Sequence, residues 1–247
     1  MKTHTDPTIA LQSLSALEER MITTAPVSPP IRTARGALVD LYIHCREAVF
    51  QAGFGEEVEY YSTRNLAAIS ESEFLCELGW VIVNSGMRNI VCRSLWPQLR
   101  AVFLEFADLP AILERRIEIR PAALAILSHP GKIDAIFRAV ERVTASSWPA
   151  IRTEIEREGI TALRRFPYIG PIICYHLAKN IGLQVAKPDR HLLRIATAAG
   201  YGTDVQALCE NLATATGDPI PVVDYIIWRC AATLDPHYLT RFTQMQP

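Results

Sequence analysis

Apolar residues recur three and four positions apart along most of this chain and do not alternate with polar ones over any strand-length run. That pattern predicts an all-α protein with no sheet. The leucines of TIALQSLSALEERM predict an amphipathic helix between Pro7 and Thr24, and the three prolines of APVSPPIRTARG mark a linker. Residues 1–35 therefore read as an N-terminal helix and linker, ahead of a helical body over 36–247. In that body ALVDLYIHCREAVFQAG predicts a helix ending at Gly53, acid-rich GFGEEVEYYSTRN a loop, and ESEFLCELGWVIVNSG a helix apolar enough to be buried on most sides. Pro97 kinks or restarts a helix in NIVCRSLWPQLRAVFLEF, and a short segment, ADLPAILERRI, follows. PAALAILSHP and GKIDAIFRAVERVTAS predict two helices separated by His129 and Pro130, and Ser147 is placed to cap WPAIRTEIEREG. DVQALCENLATATG and IPVVDYIIWRCAATL supply the last two helices before the tail PHYLTRFTQMQP.

The densest stretch runs from Arg164 to Ile195. ITALRRF and PIICYHLAKNIG each carry apolar residues at helical spacing, and FPYIGP between them reads as a turn. Pro167 fixes its own φ, Gly170 tolerates a positive φ, and Pro171 suits the first turn of the next helix, which stops at Gly182. A third helix begins in KPDRHLLRIATAAG, with Asp189 where a cap or first-turn acid belongs and Gly200 at its end.

Two motifs at one spacing make this stretch resemble the helix-hairpin-helix (HhH-GPD) DNA glycosylase superfamily, in its endonuclease III-like branch. The family hairpin L-P-G-V-G is matched by Phe166, Pro167, Tyr168, Ile169 and Gly170, with Tyr168 in place of the first glycine. Its aspartate in a V-D-x-H-like stretch is matched by Pro188, Asp189, Arg190 and His191. The resemblance implies a two-lobed helical fold with a cleft between lobes. One lobe of six helices would span about 70–185 and contain the hairpin at 166–171; the other would be built from the N-terminal helices and 186–247. It also implies that double-stranded DNA carrying a modified base is the partner and that the protein acts as a monomer.

The site the resemblance implies has several parts. Asp189 would be catalytic, with plain N-capping as the structural alternative. Pro167, Tyr168, Ile169, Gly170, Arg164, Lys179, Lys187, Arg190 and His191 would hold DNA, the hairpin amides and the first turn of the next helix pointing at a phosphate. Carbonyls of Phe166 and Tyr168 would hold a monovalent cation, Na+ or K+. Bifunctional members carry a sugar-attacking lysine two residues after the hairpin's last glycine; Ile172 stands there, which implies no lyase chemistry. The turn after the apolar helix would insert Asn84, Met87 or Arg88 into the duplex, unless Asn84 and Asn89 only cap two helices. Trp80, Tyr175, Tyr225 and Trp228 would line a base pocket, with Asp224 on the helix behind it, although an aromatic on such a helix is more often core than base platform.

Composition and charge narrow the picture. With 49% hydrophobic and 21% charged residues, 247 residues can bury a substantial core. No window has the length and apolarity of a membrane span, and MKTHTDPTIALQS lacks a signal pattern, so a cytoplasmic, nucleoid-associated address is the expectation. Six cysteines are scattered singly without a C-x-x-C pair, and Cys209 and Cys230 alone cannot supply the iron-sulfur cluster of some relatives. A net charge of −1 argues against a strongly basic nucleic-acid binder, but 160–202 holds six bases against Asp189 alone. That stretch is +5 and the rest −6, which fits phosphate contact confined to one face or a merely solvated basic face. Two functions follow: a monofunctional DNA N-glycosylase that excises a damaged or hypermodified base, or a non-catalytic hairpin module that only holds DNA.

Overall fold

A computed structural model describes residues 31–234, with side chains from 36 onward. The helix expected over 7–24 and the tail from 236 lie outside the described residues. Among those described there are thirteen α-helices and no strand. In chain order they are α1 (Ile31–Gln51), α2 (Gly55–Thr63), α3 (Glu71–Asn84), α4 (Asn89–Val102), α5 (Leu109–Glu114), α6 (Arg116–Ile126) and α7 (Pro130–Ser146). Then come α8 (Trp148–Glu158), α9 (Ile160–Leu163), α10 (Ile173–Asn180), α11 (Arg190–Ala198), α12 (Val205–Thr216) and α13 (Ile220–Arg229), which runs into a π turn over Cys230–Leu234. No helix among the described residues is long and apolar enough to cross a membrane.

Buried side chains fall into two cores. The first takes its residues from Leu66 to Ile181 and is centred on α3, whose Phe74, Leu75, Leu78, Val81, Ile82 and Val83 are all buried. That helix starts on a capping box: Ser70 Oγ accepts the Glu73 N–H, and the Glu73 carboxylate accepts the Ser70 N–H. The second core takes Leu38, Leu41, Tyr42, Cys45 and Val49 from α1 and Val58 from α2. It adds Ala186 and the inner faces of α11, α12 and α13. The chain leaves one core at Ile181 and enters the other at Ala186, so 182–189 is a strap between them. Gly182 makes the crossing possible: its φ is +90°, and a Cβ there would stand 2.7 Å from the backbone of Arg64 and Asn65.

Four elements differ from the sequence-based expectation. α1 starts at Ile31, inside the predicted linker, because nothing after Pro30 breaks a helix. The acid-rich stretch expected as a loop is α2: Glu56 and Glu57 sit in its first turn, where they oppose the helix dipole favourably, and Val58 is buried. Pro97 lies inside α4, so the helix is not restarted there. Ser147 occupies the N-cap position of α8, but at φ +68° its hydroxyl makes no capping bond.

Candidate functional site

The predicted hairpin is present, with a tighter internal hydrogen-bond pattern than expected. Tyr168, where the family pattern has glycine, adopts a glycine-like φ of +65°. Its 40%-exposed ring is held edge-on to His129, at 6.1 Å between centroids, and its hydroxyl lies against Gly131, in space a side chain at 131 would fill. Phe166 and Ile169 are buried in the first core. The Ile169 N–H donates to the Phe166 carbonyl and the Gly170 N–H to the Tyr168 carbonyl, each at 3.2 Å. Ile169 and Gly170 are therefore not the outward donors expected from sequence. Donors do remain one step on: the amides of Ile172 and Ile173, at the start of α10, have no acceptor among the described residues. The carbonyls of Phe166 and Tyr168, expected to hold a cation, each accept one amide of the same turn. Arg164 is exposed beside the hairpin, whereas Arg165 is engaged by Glu154 and Glu158 on α8.

Lys179, expected from sequence to hold DNA, is buried instead. It is 6% exposed, paired with Asp224 of α13 (1% exposed), and its ammonium lies 5.0 Å from the Tyr61 ring centre. Burial alone would lower its pKa; the Asp224 carboxylate, aided by Tyr61, outweighs that and pushes it up to about 12. The second Asp224 oxygen accepts the backbone N–H of Lys187 at 2.6 Å, so the buried pair also fixes the strap. A second polar group crosses the seam nearby. Glu77 of α3 accepts from Tyr60 at 2.6 Å, Asn180 at 2.9 Å and Arg64 at 3.2 Å, and burial pushes its carboxyl up. His176 is held well below the ordinary histidine range by burial and by the charges of Lys187 and Lys179, so it is neutral at pH 7.

Asp189 ends the strap. Its Oδ1 accepts the N–H groups of His191 at 2.9 Å and Leu192 at 3.1 Å, capping α11 as the sequence predicts. Its Oδ2 accepts no hydrogen bond among the described residues, and the side chain is only partly buried. Lys187, two residues earlier, is half-buried, and its carbonyl accepts the Asp189 N–H at 2.7 Å; desolvation lowers its pKa, and the nearby Asp189 charge opposes that. Arg190 is exposed, and its Nε lies 3.3 Å from Nε2 of the half-buried His191.

The turn between α3 and α4 is fastened from below. Lys132, buried on α7, donates from Nζ to the carbonyls of Val83 and Ser85, both at 2.6 Å, so an ammonium closes the negative end of α3. Burial lowers its pKa. Met87 packs half-buried on the first core, Asn84 is half-buried and Arg88 exposed. Asn89 does not cap α4: the N-cap residue is Arg88, without a side-chain capping bond. Tyr168 and Lys132 thus attach the hairpin and this turn to the same end of α7. Lys132→Met leaves two carbonyls without their donor, and a loss of about 1–3 kcal/mol is expected in urea denaturation. Faster amide exchange in 84–89 is expected with it.

The four predicted pocket aromatics divide between the two cores. Trp80 and Tyr175 pack on the first core and Trp228 on the second. Tyr225 is buried in the second core, tilted against Tyr61 at 5.1 Å, and its hydroxyl accepts from Arg229 at 3.1 Å. Two surface cavities stand out. One, of about 420 Å³, lies between α1 and the end of α12 and is lined by Tyr42, Arg46 and Asp218; the other, about 320 Å³, lies over Tyr60, Arg64 and Glu73. Neither is lined by Asp189 or by any of the four aromatics. Among the described residues, no group of three or more His, Cys, Asp or Glu converges as a metal site would require. Comparison with protein-family models, with curated proteins and with solved structures gave no match.

Sequence reasoning missed Lys132, Glu77 and the Lys179–Asp224 pair. Their one signal was a lone charge inside an apolar helical face: Lys132 directly before Ile133, Asp224 between Val223 and Tyr225.

Proposed function

We propose that the chain is a monofunctional DNA N-glycosylase that swings a modified base out of duplex DNA, hydrolyses its N-glycosyl bond and leaves an abasic site. The observation that carries this reading is the uneven engagement of Asp189. One oxygen is fixed by two amides of α11, and the other is unengaged on a partly exposed side chain. Cleavage of an N-glycosyl bond passes through a sugar of oxocarbenium character, which a nearby carboxylate stabilises while orienting the attacking water. A rigidly held carboxylate with one open oxygen suits both tasks. The resemblance of the hairpin and of Pro188 to His191 to the helix-hairpin-helix glycosylases points the same way. The open amides of Ile172 and Ile173, with Arg164 and Arg190, offer a phosphate-binding edge without reading sequence. Ile172 supplies no amine for attack on the sugar, so excision is expected without strand cleavage.

A second reading, a non-catalytic DNA-binding module, is favoured by one observation: neither cavity reaches Asp189. Base flipping needs a pocket for the extruded base. Duplexes carrying single alkylated, oxidised, mismatched or bulky modified bases, incubated with the full chain and then treated with alkali, separate the two. The glycosylase gives strand breaks after alkali on at least one duplex. Breaks before alkali contradict the monofunctional assignment, and binding without breaks on any duplex leaves the module.

A further inference from the structure

Cys45 lies on the buried face of α1 with Leu38, Leu41, Tyr42 and Val49, and Cys230 continues the buried face of α13 one turn beyond Ile226. Both are fully buried in the second core, and their Sγ atoms are 2.6 Å apart, inside the contact distance of two unbonded sulfurs. The other four cysteines show no such pairing. Cys76, Cys92 and Cys174 belong to the first core, and Cys209 sits in the second with its thiol pushed well above the ordinary range by burial.

We propose that Cys45 and Cys230 are a disulfide-forming pair that staples α1 to the end of α13. The reaction is a two-electron oxidation by a small-molecule disulfide such as oxidised glutathione. One cysteine thiolate displaces glutathione thiolate to give a mixed disulfide. The second cysteine attacks that sulfur, forms the S–S bond and releases another glutathione, the two thiol protons passing to water and the leaving thiolates. Access is through local opening of the helix ends, since neither sulfur meets solvent in the closed state. The bond joins residues 185 apart, so it encloses both cores and most of the described chain in one loop. A cross-link over so long a loop restricts the unfolded chain strongly and raises the melting temperature.

The test holds the full chain in glutathione buffers of rising oxidised fraction until its thiol content stops changing, then alkylates it in denaturant. Two of the six cysteines should escape alkylation, and trypsin should release Gly36–Arg46 linked to Cys230–Arg241. The oxidised chain should melt higher by on the order of 10 °C, a difference abolished by dithiothreitol. Cys45→Ser and Cys230→Ser should each abolish the linked peptide, and Cys209→Ser should leave it. Six reactive thiols at every buffer composition, stable glutathione adducts at Cys45 or Cys230, or linkage through another cysteine would each overturn the assignment.

Discussion

Lys179→Met is expected to remove about 3–5 kcal/mol of stability, because Asp224, whose pKa burial already raises, is left in the interior without its cation and must carry an unpaired charge or take up a proton. Set against a typical domain stability of about 5–15 kcal/mol, the variant stands near the edge of folding. The mechanism is the electrostatics of the seam. Lys179 reaches from α10 on the first core and Asp224 from α13 on the second, and the Lys187 N–H is the one other donor to that carboxylate among the described residues. A double variant, Lys179→Met with Asp224→Leu, removes both charges and is expected to recover much of the loss, since an apolar pair of similar volume tolerates the site. Urea denaturation of the single and double variants measures both effects. A single-variant loss under about 1 kcal/mol would mean that water reaches the pair and that it behaves as a surface ion pair. Hydrogen exchange at Lys187 to Asp189 adds a local readout: the strap should loosen in Lys179→Met because its anchor on Asp224 is disturbed.

That ion pair also marks where sequence reading stops. The local signals at FPYIGP and KPDRH were legible because turns and caps are decided by a few neighbouring residues. Pro167 and Gly170 bracket a tight turn, though its positive φ falls on Tyr168 and not on Gly170, and Asp189 caps α11 by accepting the amides of His191 and Leu192. Even the departure at Tyr168 follows this logic: the turn imposes a positive φ, and a flat ring packed on Gly131 and His129 accompanies the strained backbone. Lys179 could not be placed this way. Within PIICYHLAKNIG it reads as the polar stripe of an amphipathic helix, but α10 is covered on both sides, and the partner that makes burial tolerable lies 45 residues on. The same limit hid α2, where three glutamates and two tyrosines suggested a loop, although Tyr60 and Tyr61 are the side chains that join Glu77 and Asn180 across the seam. Pocket membership failed for a related reason. The helical positions of Trp80, Tyr175, Tyr225 and Trp228 were legible, whereas which faces the two cores cover depends on contacts between distant segments.

Asp189→Asn separates the two duties of one side chain. Asparagine caps a helix about as well as aspartate, so α11 should keep its start and the melting temperature should move little. Removing the charge beside the proposed phosphate-binding edge should leave duplex binding unchanged or tighter, because a carboxylate there would repel the backbone that Arg164 and Arg190 are proposed to hold. Excision should nonetheless fall by about 10²–10⁴-fold in single-turnover assays, the range expected when a positioned charged or proton-accepting group is lost. These three results together distinguish the proposed chemistry from capping alone. A cap with no chemical role predicts an unchanged rate, and a variant that binds and excises like the parent removes Asp189 from the reaction. A variant that merely unfolds would have to show it in the melting curve, where Asp189→Ala, which cannot cap, is the reference for that loss. The open Oδ2 is the atom at stake: Asn keeps the Oδ1 acceptor that α11 uses and replaces the unengaged oxygen with an amide NH2, a donor that can neither stabilise an oxocarbenium ion nor deprotonate water.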